Sequence, residues 1–204
     1  MLPVHMLPVA VAALAIGVLA GSLRGGSLSR LQLLRVRHAW LVAIAFGVQV
    51  LLFVGPLGVW LGDGVAPVLM ATNLALLLMV ALNLHLPGLK LIGLGLAANT
   101  LVMLLNGGYM PVSEPALRAA GLDWRVDQLA AQGHSDKSRL VDATTRLPVL
   151  GDVIPVPPIN KVLSIGDLLV AAGAAWLLAA GMTLRSSPSQ TTPMAVSTND
   201  GRFV

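Results

Sequence analysis

The chain contains no cysteine, which excludes disulfides, iron–sulfur clusters and thiolate metal sites. Charge is scarce too: 11% of the 204 residues are Asp, Glu, Lys or Arg, against roughly 25% in an ordinary soluble domain. Catalytic signatures are missing. There is no GxSxG, no HExxH, and no GxGxxG or P-loop lysine pattern beside Gly107-Gly108, so serine-hydrolase, zincin and nucleotide-binding chemistry are not indicated. No internal repeat is evident, which weighs against an inverted-repeat transporter. What the chain has instead is apolar sequence: 56% of its residues are hydrophobic, and the mean hydropathy is +0.82. Neither a soluble domain nor a disordered segment has this balance.

The apolar residues gather into five runs, about 6–23, 39–61, 65–86, 89–105 and 162–184. A hydrocarbon core about 30 Å thick needs roughly 20 helical residues, so each run is close to membrane length. The second is loosened at Gly55-Pro56. The first resembles a signal peptide in length, but Met1–His5 carries no Lys or Arg, which favours an uncleaved helix. Orientation follows the positive residues of short loops. Arg24, Arg30, Arg35, Arg37, Lys90, Arg185 and Arg202 all fall on one side, the expected cytoplasm, with the N-terminus outside and the C-terminus inside. The net charge of +4 therefore reports orientation, and a nucleic-acid partner is not expected.

The connection from Asn106 to Lys161 lies outside, and its positive and negative charges cancel. It is too long to be a plain link. Ser113-Glu114-Pro115 reads as a helix start. Leu117 to Leu129 suggests one or two amphipathic helices split near Gly121, with Asp123 capping the second. Tyr109 and Trp124 suit headgroup depth. The stretch 147–158 is apolar and proline-rich, and is expected to lie as an extended strap. Residues 185–204, rich in Ser, Thr and Pro, are expected to form a disordered cytoplasmic tail after a membrane domain over 1–184.

Polar residues inside apolar runs carry the functional question. Asp167 lies within the fifth run, where a carboxylate is costly unless paired, hydrated or protonated. Ser164-Ile165-Gly166-Asp167 offers a local solution, a capping box with Ser164 as cap. An ion ligand, proton acceptor or substrate contact is the sharper alternative. Asn99, Asn106 and Asn73 fall at similar depth, either as glue between helices or as the lining of a cavity open to the outside. Asp152 is expected to pair with Arg146 or Lys161. His134 with Asp136 is the one outer pair of metal-ligand type, and two residues do not make a site. No metal or cofactor is expected. His5, His38 and His85 read as interfacial or solvated.

Asn106-Gly107-Gly108-x-Met110-Pro111-Val112, the outer-loop His134, Leu150-Gly151-Asp152 followed by prolines, and Ser164-Ile165-Gly166-Asp167 resemble an uncharacterised family of bacterial multi-pass membrane proteins with a conserved domain of unknown function. The resemblance spans roughly Val9 to Leu184. It implies that the strap and the start of the fifth run belong together, and it supplies no activity. The expected fold is all-α: five transmembrane helices in a bacterial plasma membrane, with a long extracytoplasmic loop between the fourth and fifth. The expected role is a non-enzymatic accessory or binding subunit acting through the outer loop, with the lipid bilayer and other membrane proteins as partners. A small transporter or channel component with a cavity around Asp167 is the alternative. A membrane-embedded enzyme using Asp167, Asp152 and His134 comes third.

Overall fold

A computed structural model describes residues 7–53, 57–135 and 137–184; the expected tail, His5 and Asp136 lie outside them. The apolar runs fold as helices: α1 (Leu7–Leu23), α2 (Trp40–Phe53), α3 (Leu57–Leu61), α4 (Val65–Ala81) and α5 (Leu89–Leu105). The connecting segment follows as β1 (Met110–Val112), α6 (Glu114–Ala119), α7 (Asp123–Gln132), β2 (Ser138–Leu140), β3 (Ile154–Val156) and β4 (Lys161–Leu163). The last helix is α8 (Ile165–Met182). The chain is mostly helical. α8 is the one described helix long and apolar enough to cross a bilayer; the other apolar helices have 10–17 residues.

The long helices stand in a row. α2 packs on α4, α4 on α5, α5 on α8, and α8 on α1. Small residues set the spacing. On α1, Ala13, Gly17 and Gly21 recur every four residues and form the buried face. A Cβ at Gly17 would come within 2.8 Å of the Ala175 carbonyl of α8. Between α5 and α8 the small residues recur every seven. Gly88 sits against Gly173 and Gly95 against Gly166, each with backbone where a side chain would go. The pairing order makes α5 and α8 antiparallel. Large apolar side chains remain on the outside of the row, among them Ile16, Phe46, Leu78, Leu94 and Trp176.

The row has two distinct ends. At one, the segment after α1 folds back as a 3-10 turn, Leu28–Leu33, whose Leu31 lies with Leu34 over Gly181 of α8. Ser27 donates its N–H to the Met182 carbonyl. Arg24, Arg30, Arg35, Arg37 and Lys90 belong to this end. The third run was expected to stay helical to Leu86, but α4 stops at Ala81. Asn83, fully buried, turns the chain. Its Oδ1 accepts the Arg37 N–H at 2.7 Å, and its Nδ2 donates to the carbonyls of Arg37 (2.8 Å) and Met79 (2.7 Å). An Asn83→Asp variant puts an oxygen against two carbonyl oxygens. It should lower the thermal unfolding midpoint in detergent further than Asn83→Ala does, with a loss of about 3 kcal/mol from the unsatisfied, repelling groups.

At the opposite end lie the starts of α4 and α8, the end of α5 and the folded segment between α5 and α8. That segment has its own core of Val112, Ala116, Leu117, Val126, Leu129 and Val162. β1 and β2 pair in parallel, with Met110 opposite Ser138 and Val112 opposite Leu140. β3 and β4 pair antiparallel, with Ile154 opposite Leu163 and Val156 opposite Lys161. This strand pairing displaces the start of the fifth helix from the expected Val162 to Ile165. Residues 147–158 form no regular helix: short 3-10 turns at Pro148–Leu150 and Pro157–Ile159 flank β3. α6 is capped by Ser113, which accepts the Ala116 N–H. Asp123 does not cap α7. It sits inside the first turn and pairs with Arg118 at 2.9 Å.

Candidate functional site

Ser164 is held extended (φ −90°, ψ 163°) at the head of α8. Its Oγ accepts the Asp167 N–H at 2.9 Å, and Asp167 Oδ2 accepts the Ser164 N–H at 3.1 Å. This is a capping box, with an acid where the helix dipole favours one. The second carboxylate oxygen crosses to α5: Asn99 Nδ2 donates to Asp167 Oδ1 at 2.9 Å, and the Ser164 hydroxyl donates to Asn99 Oδ1 at 2.9 Å. The helix-cap and interhelix readings of Asp167 are thus one arrangement, shared between its two oxygens. Gly166 makes it possible, because a Cβ there would overlap the Asn99 amide. Ser164 is fully buried; Asn99 and Asp167 are half-buried.

Asn106 and Asn73 do not join this group through any hydrogen bond among the described residues. Asn106 ends α5 and clips the strap: its Oδ1 accepts the Arg146 N–H at 2.9 Å, and its Nδ2 donates to the Arg146 carbonyl (2.9 Å) and the Val102 carbonyl (2.7 Å). Asn73 is half-buried on α4. The polar contact that joins α2 to α4 comes instead from Gln49, which donates to the Thr72 hydroxyl at 3.1 Å.

Beside Asn106 opens a cleft of about 240 Å³, lined among others by Tyr109, Arg139, Asp142, Thr144 and Thr145. Arg139 and Asp142 approach to 3.6 Å. Hydrogen bonds from Thr144 hold the Asp142 carboxyl below the usual range. His134 lies on Tyr109, ring centroids 4.7 Å apart, and Asp136, its expected companion, is outside the described residues. Among the described residues no three His, Asp or Glu gather as a metal-binding group.

Asp152 departs from expectation. It pairs with neither Arg146 nor Lys161 among the described residues. Arg146 is engaged through its backbone by Asn106, and Asp152 Oδ1 is buried without a hydrogen-bond partner. Its backbone explains the placement. Asp152 lies alongside Val112, donating its N–H to Pro111 and accepting from Ser113, so the strand row carries the side chain inward. Burial pushes the Asp152 carboxyl up to about 7. Lys137, Arg125 and Lys161 pull it down, and Asp167 adds repulsion. Burial likewise lowers the Lys161 ammonium to about 8, helped by Arg125 and Lys137 and opposed by Asp152. Arg125 also reaches Ser138 Oγ at 3.5 Å. Sequence reasoning passed over Arg125 and Lys137. They are distant from Asp152 in the chain, and only the packing of α7 and β2 beside β1 brings them near.

A model of a family described as a family of unknown function, DUF5317, matches residues 33–179. That range includes Asn99, Asp152, Ser164 and Asp167. An uncharacterized protein of Thermotoga maritima is 38% identical over 94 residues, 45% of this chain and 50% of that protein. The chain therefore spans about half the length of the curated relative it matches. No solved structure matches.

Proposed function

The chain belongs to the DUF5317 family of unknown function, and from that premise we propose that it is a five-span plasma-membrane protein. Its N-terminus lies outside and its C-terminus in the cytoplasm, and it serves as a non-enzymatic binding or accessory subunit through its folded outer segment. The carrying observation is the contrast between the two ends of the helix row. Arg24, Arg30, Arg35, Arg37 and Lys90 collect at one end, as the positive-inside tendency requires of a cytoplasmic face. The other end carries a charge-neutral segment with its own core, more structure than a connector needs. The outward-facing Ile16, Phe46, Leu94 and Trp176 suit lipid better than water. The helices shorter than the hydrocarbon thickness are accommodated by local thinning of the bilayer. The motif resemblance read from the sequence fits here: the strap and the start of α8 form one folded unit. Against the transporter alternative stands the engagement of Asp167, each of whose oxygens already accepts a structural bond, from Asn99 or from the Ser164 N–H.

The natural absence of cysteine makes single-cysteine labelling direct. With Ala143→Cys and Gln32→Cys, both at exposed positions, a membrane-impermeant maleimide on intact cells should label the first and spare the second. The reverse pattern overturns the topology. Purification in mild detergent should carry a partner that is lost when the outer segment is disrupted; a clean monomer from native membrane overturns the subunit role.

A further inference from the structure

The cleft beside Asn106 has two walls held in place by the chain itself. One is the turn after α5, where Gly107 and Gly108, both at positive φ, lead into β1 and bring in Tyr109. The other is the stretch after β2, which carries Arg139, Asp142, Thr144 and Thr145. The pairing of β1 with β2 ties the walls together, and Asn106 clips the second to the first through the N–H and carbonyl of Arg146. Asp142 is fixed as well: its Oδ1 accepts the Thr144 N–H at 2.8 Å and the Thr144 hydroxyl at 2.6 Å. His134 packs on the Tyr109 ring. Walls ordered in advance lower the entropic cost of binding.

The lining selects its ligand by charge. Arg139 and Asp142 face each other at 3.6 Å, with about half of each side chain exposed. That distance is too long for a hydrogen bond, yet each group is the other's counter-charge. An ion entering the cleft is attracted by one and repelled by the other. A neutral hydroxyl gains from both, because it accepts as well as donates. It accepts from the Arg139 guanidinium and donates to Asp142 Oδ2, the oxygen that Thr144 and Thr145 leave open, in charge-assisted bonds. Tyr109 adds an aromatic ring, whose electron-rich face attracts the polarised C–H groups of a sugar. The volume of about 240 Å³ is below the roughly 300–1,000 Å³ of sites for drug-sized ligands, so it suits one small ring.

We propose that this cleft binds one ring of a neutral saccharide. The proposal gives the binding reading above a ligand class and rests on that reading for its place on the outer face. The ring is either a free sugar or one unit of a surface glycan; its chemistry in the cleft is the same.

The test uses the full chain in a polyoxyethylene detergent, whose headgroup carries no sugar. Saturation-transfer NMR follows glucose, galactose, N-acetylglucosamine, a short β-linked oligomer of N-acetylglucosamine, and alanine as a zwitterionic control. A sugar should bind saturably and more tightly than alanine. Arg139→Met should weaken that binding roughly tenfold or more, the loss of a hydrogen bond to a charged group. Tyr109→Leu should weaken it about two- to tenfold. Arg139→Lys keeps the charge and loses the planar fork, so it should fall between the parent and Arg139→Met, and it replaces Arg139→Met if that variant does not fold. Arg118→Met, whose partners are Glu114 and Asp123, should bind as the parent does. Tighter binding of the oligomer than of any single sugar identifies a glycan chain; equal binding identifies a free sugar. No sugar binding, alanine binding as tight as that of any sugar, or equal losses in Arg118→Met and Arg139→Met overturns the proposal. A chain that binds no sugar yet brings a partner out of native membrane loses this proposal alone. A clean monomer that binds a sugar loses the subunit role alone.

Discussion

Gly88→Ala should loosen α5 from α8 and cost about 2–5 kcal/mol of stability, the sum of a backbone and a packing effect. Gly88 has φ +80°, where a Cβ meets its own backbone, a strain of about 1–2 kcal/mol. That Cβ would also enter the Gly173 carbonyl. Overpacking against backbone, which cannot rotate away, costs typically 1–3 kcal/mol and occasionally more. Two controls separate the terms. Gly25 has φ +71° with nothing near its would-be Cβ, so Gly25→Ala should show the strain alone. Gly173 lacks a positive φ, and a Cβ there would come to 2.6 Å from the Gly88 carbonyl, so Gly173→Ala should show the packing alone. Thermal unfolding in detergent measures all three. A Gly88→Ala loss no larger than that of Gly25→Ala would mean that α5 and α8 do not need this close approach.

The second large effect belongs to the group at the head of α8. Asn99→Leu removes both hydrogen bonds that cross from α5, leaving the Ser164 O–H donor and one oxygen of Asp167 without partners. The expected loss is about 2–4 kcal/mol, more than the roughly 0.6 kcal/mol of an average polar contact between membrane helices, because two partners are orphaned at once. Asp167→Ala should lose a similar amount. The double variant should fall short of the sum by about 1–3 kcal/mol, because each change removes bonds the other has already broken. Asp167→Asn is not conservative. Asp167 accepts on both oxygens, from Asn99 on one side and the Ser164 N–H on the other. An amide keeps one acceptor and turns a donor on the remaining donor. Strict additivity in the double variant would show that the α5 contact and the helix cap act independently.

The sequence made these elements visible unequally, for physical reasons. Ser164-x-x-Asp167 is a local pattern, so the capping box is legible from four residues. That Asn99 completes it is not, because nothing local sets the register of α5 against α8. That register comes from Gly88, Gly95, Gly166 and Gly173, whose seven-residue spacing acquires meaning only once the two helices are known to face each other. Apolar runs located the long helices but ran past their ends. Asn83 stops α4 by capturing the backbone of Arg37, a partner that hydropathy cannot supply, and strand pairing holds Val162 and Leu163 out of α8. Asp152 misled in the other direction. Its neighbours in sequence suggested an ion pair, while the strand row turned it inward and left its Oδ1 without a partner.

Asn83 and Asn106 perform the same act at opposite ends of the helix row. Each grips the backbone N–H and carbonyl of an arginine while holding the carbonyl four residues behind it in its own helix. Seen as loop closures, they seal the stretches 37–83 and 106–146, which follow one another without overlapping. The entropy of closing such loops grows only slowly with their length. Neither closure requires the other, so they can be completed in the order the chain is synthesised. The first fixes α2 and α4 before the segment between α5 and α8 exists. The second ties that segment to the end of α5 before α8 emerges. α8 comes last, between the glycine-bearing faces of α1 and α5, and its insertion is the step that joins α1 to the row.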